Sequence, residues 1–392
     1  MNAELILLVN GPGELYTWAR PLLRELRLLE PDLRIVLGLL PCPFATGYER
    51  GIAETLPLDG LASVAECLEF IAGGRKPKAF IGKNGLVLGL GGDVSFPGRI
   101  GSKLGYAAWR YSFEGYWHKS LELLLVHDQK TLHKALQNPQ AKAENIGNLV
   151  ADALALEPSQ TRETDSVLLV PGSRGFQVTH LLSFMATAAE QINAKTFHVA
   201  RSSLIDDASW KIALSGIKTK DYGGVSMRLE GSAAITPNGT KLEIHHESER
   251  YALMKRCAVA ITSPGTNTLE LGIAGIPAVV CIPLQKMELI PIENPLRYLE
   301  MLPFIGKPIK RALVLAFLSR FKFMSLPNML TQEFIYPELR GNITVQNLVD
   351  VTNGLLSNQS ERQRITARLE QTMPKAGAVQ ILANKILARL KQ

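Results

Sequence analysis

The segment Ser263-Pro-Gly-Thr-Asn-Thr-Leu-Glu270, followed by Gly272, Ala274, Gly275 and Pro277, reads as a strand end, a small-residue loop and a helix start. The N–H groups at such a helix start, together with the macrodipole, attract a diphosphate. Ser263, Gly265, Thr266, Asn267 and Thr268 are therefore candidate phosphate-binding positions. Glu270, about one turn in, is a candidate acceptor for ribose hydroxyls. An ordinary capped turn between strand and helix would give the same pattern. Gly172, Ser173 and Arg174 open a second such helix. Arginine suits bidentate phosphate contact, although a surface arginine on a turn is the alternative. Gly11 and Gly13 form a third, weaker loop that lacks the full G-x-G-x-x-G fingerprint. The sequence shows no D-x-D pair and no His/carboxylate cluster at metal spacing. His245-His246-Glu247 is adjacent rather than i, i+4, and reads as a solvated hairpin end. No metal and no cofactor are expected.

These loops need parallel strands and helices to hold them. Residues 5–10 (LILLVN) read as a buried strand, and the apolar spacing over 15–29 predicts a helix. Strands are expected near 34–39, 86–90, 105–110 and 121–127, with a helix around 61–71. Alternating strands and helices argue for parallel βαβ units. The polar stretch 157–165 (EPSQTRETD) reads as a linker. The opening pattern then returns: a strand at 167–170, a glycine-bearing loop, and a helix to about 192. Further on, Asn238-Gly239 predicts a hairpin between 233–236 and 241–245. Strands at 258–262 and 278–282 flank the helix that starts near 267. The expected architecture is α/β, two Rossmann-like domains facing across a cleft: 1–156, 166–350, and C-terminal helices over 351–392 that pack back on the first domain.

The chain has 392 residues, 46% hydrophobic and 20% charged, which excludes a disordered polymer. Its net charge of +7 lies wholly in the second half, since residues 1–155 balance. That disfavours a uniformly basic nucleic-acid binder and suits a local patch for phosphate or anionic lipid. Four widely spaced cysteines suggest buried thiols rather than a disulfide or zinc framework. The first residues lack the basic start of a signal peptide, and no apolar run is long enough to span a bilayer. A cytoplasmic protein is expected.

Three stretches, LLVPGSRGFQVTHLL (168–182), SPGTNTLELGIAGIPAVV (263–280) and FMSLPNMLTQEFIYPEL (323–339), resemble lipid-A-disaccharide synthase, an inverting glycosyltransferase of the GT-B fold. GPGEL (11–15), GGD (91–93) and IGNLVADAL (146–154) match more loosely, the last resembling the family's segment entering the second domain. The resemblance implies a UDP-sugar donor in the second domain, with Asn328 of the Leu-Pro-Asn motif among its site residues. It also implies a lipid-linked or acylated-sugar acceptor between domains. Two positions depart from the family. Phe96 stands where it has a second, catalytic Asp, and Gln177 where a Glu follows the GSR loop.

Inverting transfer needs a base for the acceptor hydroxyl and stabilisation of the departing diphosphate. Asp93 and Glu14 are the base candidates, with Asp93 favoured; either could instead cap a helix. Rival readings are a GT-B-fold UDP-sugar 2-epimerase, which would need further acids and histidines around the sugar, and a non-catalytic nucleotide-sugar-binding protein. Residues 301–325 carry Lys307, Lys310, Arg311, Arg320 and Lys322 and no acid. They suit an interfacial helix on the anionic inner face of a membrane, with Phe317, Phe321 and Phe323 inserted; a buried helix with a basic rim is the alternative.

Overall fold

The computed structural model describes residues 3–42, 47–216, 218–219, 222–283 and 321–392. The chain divides into two compact units, Met1–Glu157 with Pro374–Gln392, and Pro158–Met373. The expected boundary at 350 therefore moves. Helices Val345–Ser357 and Gln359–Thr372 belong to the second unit, and only the last helix, Ala378–Leu390, belongs to the first. Local contacts explain the assignment. Thr366 Oγ1 donates to the Gly275 carbonyl at 2.8 Å, whereas the Asp152 carboxylate accepts from the Gly377 N–H at 2.7 Å and starts the final helix. Leu382, Ala383 and Ile386 of that helix are fully buried. Residues 146–154 lie in the first unit, whose main segment ends at Glu157, and Asn148 caps helix Leu149–Ala155 there.

The first unit is built on strands β1 (Ala3–Val9), β2 (Arg34–Leu39), β3 (Gly60–Ala62), β4 (Asn84–Leu90), β5 (Ala107–Ser112), β6 (Leu123–Val126) and β7 (Ala143–Asn145). They form a parallel sheet in the order β3-β2-β1-β4-β5-β6-β7. Every residue of β1 is buried, as a central strand covered on both faces requires. Strand order reverses between β1 and β4, where Val9 lies opposite Leu90. The helix predicted over 15–29 opens as a turn of π-helix, Leu15–Ala19, and becomes α-helical at Arg20–Leu29. Phe96, where the family has its second acid, begins helix Phe96–Leu104 and packs on the apolar cluster around Val87 and Ile100.

In the second unit the strands are β8 (Ser166–Val170), β9 (Thr196–Ala200), a separate ribbon of β10 (Lys218–Thr219) and β11 (Tyr222–Gly223), then β12 (Arg228–Glu230), β13 (Ala233–Ile235), β14 (Lys241–His245), β15 (Val259–Thr262), β16 (Ala278–Pro283) and β17 (Glu338–Gly341). The main sheet runs β12-β13-β14-β9-β8-β15-β16-β17, with β12 and β13 antiparallel additions at one edge. The hairpin joining β13 to β14 is the one signalled by Asn238-Gly239. The Asn238 carboxamide oxygen accepts from Thr240 N–H and two hydroxyls, and Gly239 takes φ +92°. Order reverses between β8 and β15, where Val170 lies opposite Thr262. Strands β9, β10, β11, β12 and β17 escaped the sequence reading, as did β3 and β7 in the first unit, each being five residues or shorter.

Cys67, Cys257 and Cys281 are buried, and burial pushes each thiol up to about 12. Among the described residues no helix is long and apolar enough to cross a membrane. Most of the basic stretch 301–325 lies outside the described residues. Within its described end, Phe323 is 3% exposed and stacks edge-on against Phe334 at 4.8 Å. It serves the core of the second unit and is not a membrane-inserting side chain.

Candidate functional site

In open parallel sheets, ligands bind beyond the carboxyl ends of the strands where strand order reverses. Both units place the loops singled out in the sequence at such a point. In the second unit, Gly172–Arg174 follows β8 and Ser263–Gly265 follows β15, on neighbouring strand ends. Arg174 holds an extended conformation at the start of helix Gly175–Ala189, and Gly265, with positive φ, stands at the start of helix Thr266–Ile273. Two helix N-termini thus open from adjacent strands, an arrangement suited to a diphosphate. Gly172 (φ +112°) leaves room for the Gln177 carboxamide, since a Cβ there would meet Gln177 Oε1 at 2.6 Å. Gly265 (φ +136°) has open space where a side chain would project, as close approach by a ligand requires. Thr266 is exposed, Ser173 and Asn267 are half-buried, and the buried Ser263 Oγ has no hydrogen-bond partner among the described residues.

Three expected ligand contacts have other occupations. Thr268 Oγ1 donates to the Gly265 carbonyl at 2.8 Å and accepts from Leu326 N–H at 3.0 Å, so it braces the loop. Asn328 is fully buried. Its Nδ2 donates to the Tyr336 carbonyl and Glu338 Oε1, and its Oδ1 accepts from Ile335 and Tyr336 N–H, at 2.8–3.0 Å. Two donors and two lone pairs are thereby used, and the Leu-Pro-Asn motif is a structural clasp. Glu270 is 3% exposed, with Oε1 accepting from Arg250 at 2.7 Å and Tyr251 at 3.2 Å. Burial pushes its carboxyl up, against the pull of Arg250. Its Oε2 is buried without a hydrogen-bond partner among the described residues.

In the first unit, Gly11–Glu14 follows β1 and Gly91–Asp93 follows β4, again on adjacent strand ends. The Glu14 side chain folds back over Gly11, where a Cβ would lie 2.1 Å from Glu14 Oε2. Gly13 is exposed and meets nothing there; its carbonyl accepts from Thr17 Oγ1 at 2.7 Å. A Cβ on Gly91 (φ +78°) would come within 3.1 Å of the Trp18 ring, 3.5 Å of Asn10 Oδ1 and 3.6 Å of Glu14 Cγ. These groups therefore crowd one strand-end corner.

The two candidate bases differ sharply. Burial pushes the half-buried Glu14 carboxyl above its ordinary value, against the pull of its own backbone N–H. Asp93 is exposed. Burial raises it and is the largest single influence, but Ser95 N–H at 2.8 Å and Ser95 Oγ at 2.6 Å, with Arg99 and Arg110 near, together hold it below the usual carboxylate range.

Around them lie residues that sequence reasoning missed. Arg110, 2% exposed in β5, donates to the Gly92 carbonyl at 2.7 Å and to Glu114 at 3.3 Å, and its Nη1 is buried without an acceptor. Phe113 stacks on Trp18 at 5.1 Å and on the His127 ring at 4.2 Å. Trp18 Nε1, Asn10 Oδ1 and His127 Nδ1 are likewise buried and unpaired. Burial holds His127 below its ordinary value, against the pull of Asp128. Unpaired buried polar atoms are costly, and of these Asn10 and His127 directly follow β1 and β6. A charged residue in an otherwise apolar strand (Trp-Arg-Tyr, 109–111) was the available signal.

No protein-family model and no curated protein matches the chain in sequence. Solved structures match it along nearly its whole length. The S. aureus MnaA–UDP co-structure has TM-score 0.57 at 10% identity, covering 99% of this chain and 97% of that one. The UDP-GlcNAc 2-epimerase from Neisseria meningitidis bound to UDP-GlcNAc has TM-score 0.55 at 11% identity, covering 98% and 100%. The chain has the GT-B fold. UGT2 from Phytolacca americana, complexed with UDP-2fluoro-glucose and pterostilbene, matches with TM-score 0.50 at 12% identity over 100% of both chains. In this GT-B chain strand order reverses at β8/β15 and at β1/β4, where open parallel sheets commonly place ligands.

Proposed function

We propose that the protein is an inverting glycosyltransferase that moves a sugar from a UDP-sugar to a lipid-linked or acylated-sugar acceptor. The observation that carries this is Glu14, a partly buried carboxyl raised by desolvation at the β1/β4 reversal, where a general base for an acceptor hydroxyl is wanted. The expected preference for Asp93 is reversed in this reading. Asp93 is a weaker base, already engaged by Ser95, and shapes its loop. The second unit holds the donor. Arg174 and the N-termini at Gly175 and Thr266 stabilise the departing diphosphate without requiring a metal, and Glu270 Oε2 receives a ribose hydroxyl. The UDP and UDP-sugar in the matched structures support the donor class.

A second reading is a UDP-sugar 2-epimerase. It is favoured by Glu14, Asp93, Glu114 and His127, which follow four neighbouring strands, β1, β4, β5 and β6, and supply the acids and histidine such chemistry needs. Peripheral attachment to an anionic membrane through 301–325 and a cytoplasmic location rest on the sequence. Incubation with UDP-sugars, with and without acylated-sugar acceptors, tests the proposal. Acceptor-dependent UDP release with a glycosylated lipid supports transfer. A changed sugar configuration without acceptor replaces it with epimerisation, and binding without turnover would leave a nucleotide-sugar-binding protein.

A further inference from the structure

We propose that the second unit carries a divalent transition-metal site of the zinc class, formed by His198 of β9 with Glu243 and His245 of β14. It is separate from the strand-end loops assigned above to the nucleotide. In the parallel register, Glu243 lies directly opposite His198, and His245 lies two residues further along the same face of β14. His198 Nδ1 and His245 Nε2 are 3.0 Å apart, His198 Nδ1 and Glu243 Oε2 are 3.4 Å apart, and His245 Nε2 and Glu243 Oε2 are 3.9 Å apart. Ligands held at about 2.0–2.1 Å around a tetrahedral ion stand about 3.3 Å from one another. The three separations bracket that edge length, so small rotations of the rings would close a His₂Glu set around one ion.

The surroundings fit the same chemistry. A ligating histidine ordinarily offers its other nitrogen to a carboxylate, which fixes the tautomer. Here His245 Nδ1 is 3.1 Å from Glu249 Oε2. His198 Nε2 faces Glu163 Oε2 at 3.8 Å, and that oxygen is buried with no hydrogen-bond partner. Arg256 holds the other Glu163 oxygen at 3.2 Å and lies 3.5 Å from His198 Nε2. Lys241 occupies Glu243 Oε1 at 3.0 Å and leaves Oε2 for the ion. Ligation through Nδ1 of His198 and Nε2 of His245 puts their protons on the other ring nitrogens, so that His245 Nδ1–H donates to Glu249 and His198 Nε2–H turns to Glu163 in place of accepting from Arg256. His198 is 4% exposed at its side chain and Glu243 39%, so the fourth position opens to solvent for a water. The ion would pin β14, and with it the added hairpin, to β9. The expected solvated end at 245–247 is thus corrected: His245 pairs with His198, and Glu247, 6% exposed, pairs with Arg250 and accepts from Ser203 N–H.

Titration of the chelator-stripped full chain with Zn²⁺ by calorimetry tests this. One equivalent should bind and raise the thermal midpoint. His245→Gln should abolish that equivalent and the thermal shift, while Glu249→Gln should lower affinity about 10–100-fold. His246→Gln, a neighbouring imidazole outside the set, should leave binding intact. Circular dichroism of each metal-free variant establishes that it is folded. No binding by the original chain, or equal Zn²⁺ affinity in a folded His245→Gln variant, would overturn the site.

Discussion

Replacing Glu14 by Gln separates its catalytic role from its effect on stability, because the two should move in opposite directions. Burial raises the Glu14 carboxyl above its ordinary 4.5, so the folded chain prefers the protonated form. The stability this group supplies is complete below the unfolded value and is lost as pH rises through the folded one. At pH 7 the ionised carboxylate therefore costs about 1.4 kcal/mol for each unit by which it is raised. Glutamine keeps the shape over Gly11 and carries no charge. The variant should consequently melt higher at pH 7, by roughly 2–4 °C per kcal/mol for a domain of this size. Transfer should fall about 10²–10⁴-fold. In the original protein the rate should climb with pH through a midpoint above 4.5, and this ascending limb should vanish in the variant. Asp93→Asn, which can retain a bond to Ser95, should keep most of the activity. Paired melting and rate–pH measurements read both effects. A Glu14→Gln protein that transfers normally, or a dead Asp93→Asn protein beside it, would refute the assignment.

Arg174→Ala should weaken UDP by about 1.5–3 kcal/mol in calorimetric titration, as loss of a charge-assisted phosphate contact predicts; unchanged affinity would remove the anchor of the donor site. Asn328→Ala strands the N–H groups of Ile335 and Tyr336 and should cost roughly 2–4 kcal/mol in urea unfolding. UDP affinity of the folded fraction should hold, since no Asn328 atom is left for a ligand. Changing Lys307, Lys310, Arg311 and Arg320 to Gln should abolish co-sedimentation with anionic vesicles at low salt and spare UDP binding; sedimentation equal to the original would refute membrane attachment through this stretch.

Much of the architecture was written locally. Buried parallel strands read as nearly continuous apolar runs, so LILLVN, LVLGL and VLLV announced themselves, and glycine-bearing turns after them marked the βα loops. The Asn238-Gly239 turn dictated its hairpin by backbone chemistry alone. These signals depend on neighbours a few residues apart, which a sequence displays directly. Other features depend on which strands lie side by side. Choosing Glu14 over Asp93 needed the burial that the β4 loop and Trp18 impose, and the Ser95 contacts that quench Asp93. Asn328 resembled a ligand residue until its four hydrogen bonds, spread over 328–338, showed it saturated. Arg110 reaches the Gly92 carbonyl, and His127 the Phe113 ring, only because β5 and β6 extend the sheet beyond β4. His198 and His245 are 47 residues apart, and no spacing rule links them; the parallel pairing of β9 with β14 sets their nitrogens 3.0 Å from each other. Local sequence sets the backbone's periodicity, whereas desolvation and proton sharing arise between groups that only the folded sheet makes neighbours.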